Sequence, residues 1–232
     1  MKKIGLLVFI VAILVGVVFA NLFSFGNASG KLFNFSFLSA IKGSAVAGSE
    51  VRDVSGFKGV DVGGIFQVEV TVGKDFSVEV EADDNLLQYI KTDVEHGVLK
   101  IETTERINSH TPIRVRVSAP DIETVDASGA CKVSVAGVKN SALNVDTSGA
   151  SKIKVAGETH DLNIEVSGAS NIDAESLKAQ TATVDASGAS KVNVFVTERL
   201  TSDASGASRI TYSGNPASVD KKTSGASSVS PK

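Results

Sequence analysis

The sequence predicts an all-β protein: a β-hairpin or meander leading into a parallel β-helix-like solenoid of about six 19–20-residue coils. Three observations predict it. The triplet Ser-Gly-Ala recurs with its glycine at Gly129, Gly149, Gly168, Gly188, Gly206 and Gly225, and a fixed period near 20 residues marks coils stacked on one another. From Phe57 to Val117 apolar and polar residues alternate with a period of two, as strands with one buried face require. All phenylalanines except Phe195 precede residue 80, so the repeats are built from Val, Ile, Ala, Gly and Ser, which suits a narrow interior.

Lys2 and Lys3 precede an unbroken apolar run from Ile4 to Ala20. As a helix it would extend about 26 Å at about 1.5 Å per residue. The run reads as a signal peptide, with Val18-Phe19-Ala20 as a cleavage site, or as a retained N-terminal membrane anchor through residues 4–20. The lysines place the N-terminus in the cytoplasm and send the rest of the chain outward in either case. Residues 21–55 alternate Phe with Ser, Asn and Gly and then become Gly/Ala/Ser-rich, which reads as a tether. Asn27-Ala28-Ser29 and Asn34-Phe35-Ser36 match the glycosylation triplet.

Residues 56–232 form the expected domain, with leading strands over 56–120 and the Ser-Gly-Ala repeats over 121–232. Phe66, Val68, Val70 and Val72 alternate with Gln67, Glu69 and Thr71. After a turn at Gly73-Lys74-Asp75, Phe76, Val78, Val80 and Ala82 form the next apolar face. Asp83-Asp84-Asn85 before Leu86 reads as a capped single turn of helix, and His96-Gly97 as a hairpin tip. Glu79, Glu81, Asp83, Asp84, Asp93 and Glu95 lack the spacing of a calcium loop and read as a solvated strand face.

Each coil offers a strand before Ser-Gly-Ala and another after it, and Leu143, Leu162 and Leu177 mark a third side. A residue type used once per coil forms a ladder of like neighbours about 4.8 Å apart. Bulk at the bend would meet its own copy above and below, hence glycine and alanine there. The same logic places Asp126, Asp146, Glu165, Asp185 and Asp203 in one outward column, closed by Lys222. Lys132, Lys152, Lys191 and Arg209 follow six residues later, interrupted by Asn171. A carboxylate column repels itself unless cations or the basic column lie alongside. It reads either as a cation- or ligand-binding strip or as a solubilising surface with opposite charges adjacent, and the second is expected.

The chemistry is notable for its gaps. A net charge of −3 and a pI near 5.7 give no basic stripe for nucleic acid. Cys131, the single cysteine, excludes an intrachain disulfide and stands where other repeats have serine, so it reads as filler of a serine-sized slot. His96, His110 and His160 form no metal motif, and no serine has an evident base. No catalytic, cofactor or metal residue is therefore assigned. A sugar-cleaving β-helix with paired carboxylates stays open as an alternative, as does a cation-responsive domain.

Phe57-Lys58-Gly59-Val60-Asp61-Val62-Gly63-Gly64-Ile65-Phe66, the Asp84-Asn85-Leu86-Leu87 step, Thr111-Pro112-Ile113 and the serial Ser-Gly-Ala-Ser coils resemble the putative auto-transporter adhesin head GIN domain family over about residues 57–228. The resemblance implies an all-β domain, helix-like where it stacks, exported to the cell envelope or surface, with no catalytic residues to carry over. The chain departs from a lipoprotein pattern in having no lipobox cysteine after its apolar run. The resulting expectation is a non-catalytic envelope module that binds an unidentified protein or glycan of the envelope or the extracellular space.

Overall fold

The computed structural model describes residues 40–232, the unit Ala40–Lys232. The expected leader or anchor over 1–20, its membrane contact, both glycosylation triplets and residues 21–39 of the tether lie outside the described residues. Among the described residues no helix is long and apolar enough to cross a membrane.

The solenoid follows from the alternation. β10 (Thr124–Gly129) buries Val125 and Ala127, the chain bends at Ser-Gly-Ala, and β11 (Lys132–Thr147) resumes with Val133 and Val135 inside. β11 then passes the third side and ends on the first face, so each long strand belongs to two coils. β12 (Lys152–Val166), β13 (Asn171–Ala186) and β14 (Lys191–Ala204) repeat the path. β15 (Arg209–Ser213), β16 (Ser218–Thr223) and β17 (Ser228–Pro231) complete it. Neighbours are parallel and in register, Asp126 against Asp146 on the first face and Lys132 against Lys152 on the second. One apolar cluster from Phe57 to Val229 fills the interior.

The six bends lie in one column with five turns of coil between them. Each alanine N–H donates to the glycine carbonyl one coil back: Ala150 to Gly129 at 2.7 Å, Ala169 to Gly149 at 2.7 Å, Ala189 to Gly168 at 2.8 Å, Ala207 to Gly188 at 2.7 Å and Ala226 to Gly206 at 2.8 Å. Gly168 shows why glycine is needed: its φ is +80°, and a Cβ would come 2.4 Å from the carbonyl oxygen of Gly149. The column also contains a seventh bend. Ala130 donates to Gly64 at 2.8 Å, because β3 (Gly59–Gly64) and β4 (Gln67–Val72) are themselves a coil, in parallel register with β10 and β11.

The leading strands are therefore not a meander ahead of the solenoid but its first layers, and their order in space is not their order in sequence. β5 (Ser77–Asp83) does not pair with β4 across Gly73-Lys74-Asp75. β9 (Arg114–Ala119) lies between them, parallel to β4 and antiparallel to β5. Charge explains the insertion: Arg116 stands in register with Glu69 on one side and Glu79 on the other, and donates to Glu81 at 2.6 Å and to Glu79 at 3.3 Å. The acidic strand face is thus partly paired, and Asp83, expected on it, is instead buried, its carboxylate held by the His110 amide and the Thr111 hydroxyl. On the other face β6 (Ile90–Glu95) and β7 (Val98–Thr103) form the hairpin whose tip is His96-Gly97, and β7 runs parallel to β3.

Four further sequence expectations need correction. The tether does not reach Ser55: β1 (Ile41–Lys42) pairs with β8 (Ile107–Asn108), and β2 (Ala47–Arg52) pairs antiparallel with β5, covering that end of the sheet. Small residues permit that close approach; Gly48 sits where a Cβ would be 3.0 Å from the Cα of Asp84. Phe76 does not point into the core; strand pairing begins at Ser77, and the half-exposed Phe76 ring packs on Phe57 with centroids 5.0 Å apart. Leu143 and Leu162 share a register on the third side with Ala182, whereas Leu177 stands opposite Gly157 in the register of Val138, five residues earlier in the coil. The capped turn is a 3-10 helix, Asp84–Tyr89, with no side-chain cap.

Candidate ligand-binding face and the charged columns

Alternation on the first face puts Val125 and Ala127 inside and Thr124, Asp126 and Ser128 outside, and every coil copies this. The register aligns Asp126 with Asp146, then Glu165, Asp185 and Asp203, the five residues the sequence singled out. It adds a sixth, Asp61 of β3, opposite Asp126. Lysines stop the column at both ends, Lys100 opposite Asp61 and Lys222 opposite Asp203. Asp61 escaped the sequence reading because its bend is Gly63-Gly64-Ile65 instead of Ser-Gly-Ala. The signal was present, since Val60-Asp61-Val62 repeats the apolar-acid-apolar order of Val125-Asp126-Ala127.

The expected neutralising neighbours are not there. Among the described residues none of the six carboxylates makes an ion pair with a basic group within 4.0 Å. Lys100 turns to Glu95 at 2.5 Å instead. The basic column lies past the bend on the second face, where Arg114, Gln67, Lys132, Lys152, Asn171, Lys191, Arg209 and Ser228 share one register. Six residues of chain cross a corner here, so nearness in sequence does not make the columns adjacent. Arg114, Lys132, Lys152, Lys191 and Arg209 are exposed and, among the described residues, unpaired.

Partial burial and repulsion show at Asp126, which lies between Asp61 and Asp146. Asp126 is pushed up to about 6, first by burial and then by the charges of Asp61 and Asp146. A shallow groove of about 640 Å³ runs along Asp146, Glu165, Asp185 and Asp203, bordered by Ser167, Ser187 and Ser205. These are short oxygen-bearing side chains on a flat sheet. Among the described residues no three His, Cys, Asp or Glu side chains converge to hold a metal.

The fourth residue of Ser-Gly-Ala-Ser faces inward. Cys131, Ser151, Ser170, Ser190 and Ser208 form a buried column at one corner of the coil. The hydroxyls of Ser208 and Ser227 each donate to the carbonyl three residues earlier at 2.8 Å, tying the corner to itself. The Cys131 Sγ lies 3.3 Å from the carbonyls of Gly64 and Ser128, and burial pushes its thiol up, which fits a packed side chain rather than a reactive one. Asp83 is buried, and its oxygens accept the His110 N–H at 2.8 Å and the Thr111 hydroxyl at 2.7 Å. The His110 amide bond, opposed by burial and helped by Thr111, holds its carboxyl below the usual range. His96 sits at a hairpin tip, His110 beside Asp83 and His160 against Asp161 at 2.9 Å, so the three do not gather.

Solved structures share this fold. A putative adhesin from Bacteroides fragilis is 17% identical with a TM-score of 0.69, covering 83% of this chain and 100% of that one. A putative lipid binding protein from Parabacteroides distasonis is 19% identical with a TM-score of 0.52, covering 84% of this chain and 100% of that one. A putative adhesin from Parabacteroides merdae is 17% identical with a TM-score of 0.50, covering 83% and 99%. Among curated proteins none matches. Over residues 56–216 the sequence matches the family described as "Putative auto-transporter adhesin, head GIN domain", and the chain belongs to that family.

Proposed function

We propose that this protein is a non-catalytic binding or scaffold module of the cell envelope, which presents its flat first face to an envelope or extracellular ligand. The family's description as an adhesin head supports a surface role. The observation that carries the reading is the run of six carboxylates in register, left without a protein cation and bordered by serine hydroxyls. A row of like charge at one strand spacing costs stability, and its persistence through six layers favours a contact made from outside. The column repeats one functional group in every layer, whereas a sugar-cleaving site sets one acid and one base at a single place on the chain.

The test is a binding screen of the unit Ala40–Lys232 against envelope polymers and extracellular glycans, beside the variant D146N/E165Q/D185N. Saturable binding by the parent, weakened about tenfold or more in the variant, is the expected result. Shortening of a glycan chain by the purified unit would turn the reading over to the enzyme alternative. A rise in melting temperature with calcium or magnesium that vanishes in the variant would favour the cation-responsive one.

A further inference from the structure

The molecule carries two one-sign columns on two faces of the same spool. On the first face the outward residues beside the acids are Thr, Asn, Ser and, around Asp61, Gly, so the charge there is wholly negative from Asp61 to Asp203. On the second face the column from Arg114 to Ser228 contains five cations, and the one acid in its register, Glu81 opposite Arg114, turns to Arg116. The next outward column on that face settles part of its own charge, Lys154 with Asp173 at 3.8 Å and Arg116 with Glu79 at 3.3 Å. Both unpaired columns advance one residue per layer, so they have the same pitch, about 4.8 Å per strand. One is made of short acids on a flat face, and the other of long side chains able to reach across a gap.

We propose that the partner of these faces is a second copy of this chain, its basic column lying against the acidic column of its neighbour. Equal pitch lets several carboxylates meet ammonium or guanidinium groups in one registered contact, whereas an unrelated charged polymer would match them only by chance. Each pair is a weak surface interaction, and the summed row supplies affinity and alignment. Because the two patches differ, a copy engaged on one face still offers the other, and repetition gives a ring or an open row of spools. The inference names a partner for the scaffold reading and rests on it.

The experiment uses the full chain in neutral-detergent micelles, its mass followed by light scattering across protein concentration at about 50 mM and about 500 mM salt. The expected result is a mass that grows with concentration at low salt and returns to a single copy at high salt. The reversals D146K/E165K/D185K and K132E/K152E/K191E should each remove self-association, a mixture of the two should restore it, and one chain carrying all six should associate like the parent. Should either triple reversal melt early, Glu165→Lys and Lys152→Glu read the same pattern with a weakening of about threefold or more. A parent that stays single at low salt, or association that persists at high salt and in both reversals, overturns the proposal. A parent that stays single yet binds an envelope polymer sinks this inference and leaves the binding-module reading standing.

Discussion

Residues 121–231 and residues 40–120 build the same spool by different means. In the later half each coil past the first, which stacks on β3 and β4, pairs only with its neighbours in sequence, so one set of residues is repeated: small bends, a buried serine corner and apolar side chains at fixed beats. In the earlier half β7 and β9 slide beneath β3 and β4, and antiparallel β2, β5 and β6 finish that end. Those contacts join residues far apart in the chain and are fixed by individual partners, among them Arg116 with Glu79 and Glu81, and Asp83 with His110 and Thr111. Repetition specifies a stack that can propagate. Singular polar contacts specify where it stops.

The comparison breaks most visibly at the bends. Gly168→Val places side-chain atoms against the Gly149 backbone at a positive φ, and a loss on the order of 4 kcal/mol is expected. For a unit of this size that lowers the melting temperature by on the order of 10 °C, measured by circular dichroism. An unchanged melt would contradict the stacking. Asp83→Ala should cost roughly half as many degrees, because it strips the His110 amide and the Thr111 hydroxyl of their buried acceptor. Its pH dependence has a definite sign. A carboxyl whose folded pKa is lowered adds stability above its unfolded value and loses it as pH falls through the folded one. The gap between Asp83→Ala and the parent should therefore narrow in acid, and a gap constant down to the acid transition would show that Asp83 acts only by packing.

Gly64→Ala sharpens the contrast between the halves at one equivalent position. At Gly64 the nearest atom to an added Cβ is the Phe66 ring at 3.5 Å, whereas at Gly168 it is a carbonyl oxygen at 2.4 Å. Only the positive φ is left to penalise the change, roughly 1–2 kcal/mol, and Gly168→Ala should melt several degrees lower than Gly64→Ala. The smallest expected effect is a gain. Asp126→Asn removes the acid most disfavoured by its neighbours and should raise the melting temperature by about 2 °C near pH 8. Because the folded pKa lies above the unfolded one, the parent's penalty grows as pH rises from about 4 to about 6, so the gain should vanish below about pH 4.

Much of the later half was legible because a stacked repeat converts sequence period directly into neighbours. Gly129 to Gly225 foretold the bend column, and five of the six acids followed from their place before it. Asp61 and Gly64 were harder, since the first coil swaps Ser-Gly-Ala for Gly-Gly-Ile and is separated from its stacking partner by the whole capping region. The placing of β9 between β4 and β5 was not legible, because alternation says which face of a strand is buried and nothing about which strand lies beside it. The separation of the acidic and basic columns was hidden by the bend itself. Six residues along a straight strand would have returned both to one face; a corner at Gly129 sent them to two.

The most direct test of the column is a distance. With Cys131 replaced by serine, spin labels on Ser128→Cys and Ser224→Cys sit at the first and sixth Ser-Gly-Ala bends, five layers apart. Stacking at about 4.8 Å per layer predicts a single narrow peak near about 24 Å in a double electron–electron resonance measurement, broadened only by the labels. A wide distribution, or a peak beyond about 40 Å, would mean that the bends do not stack and that the carboxylates do not share a column.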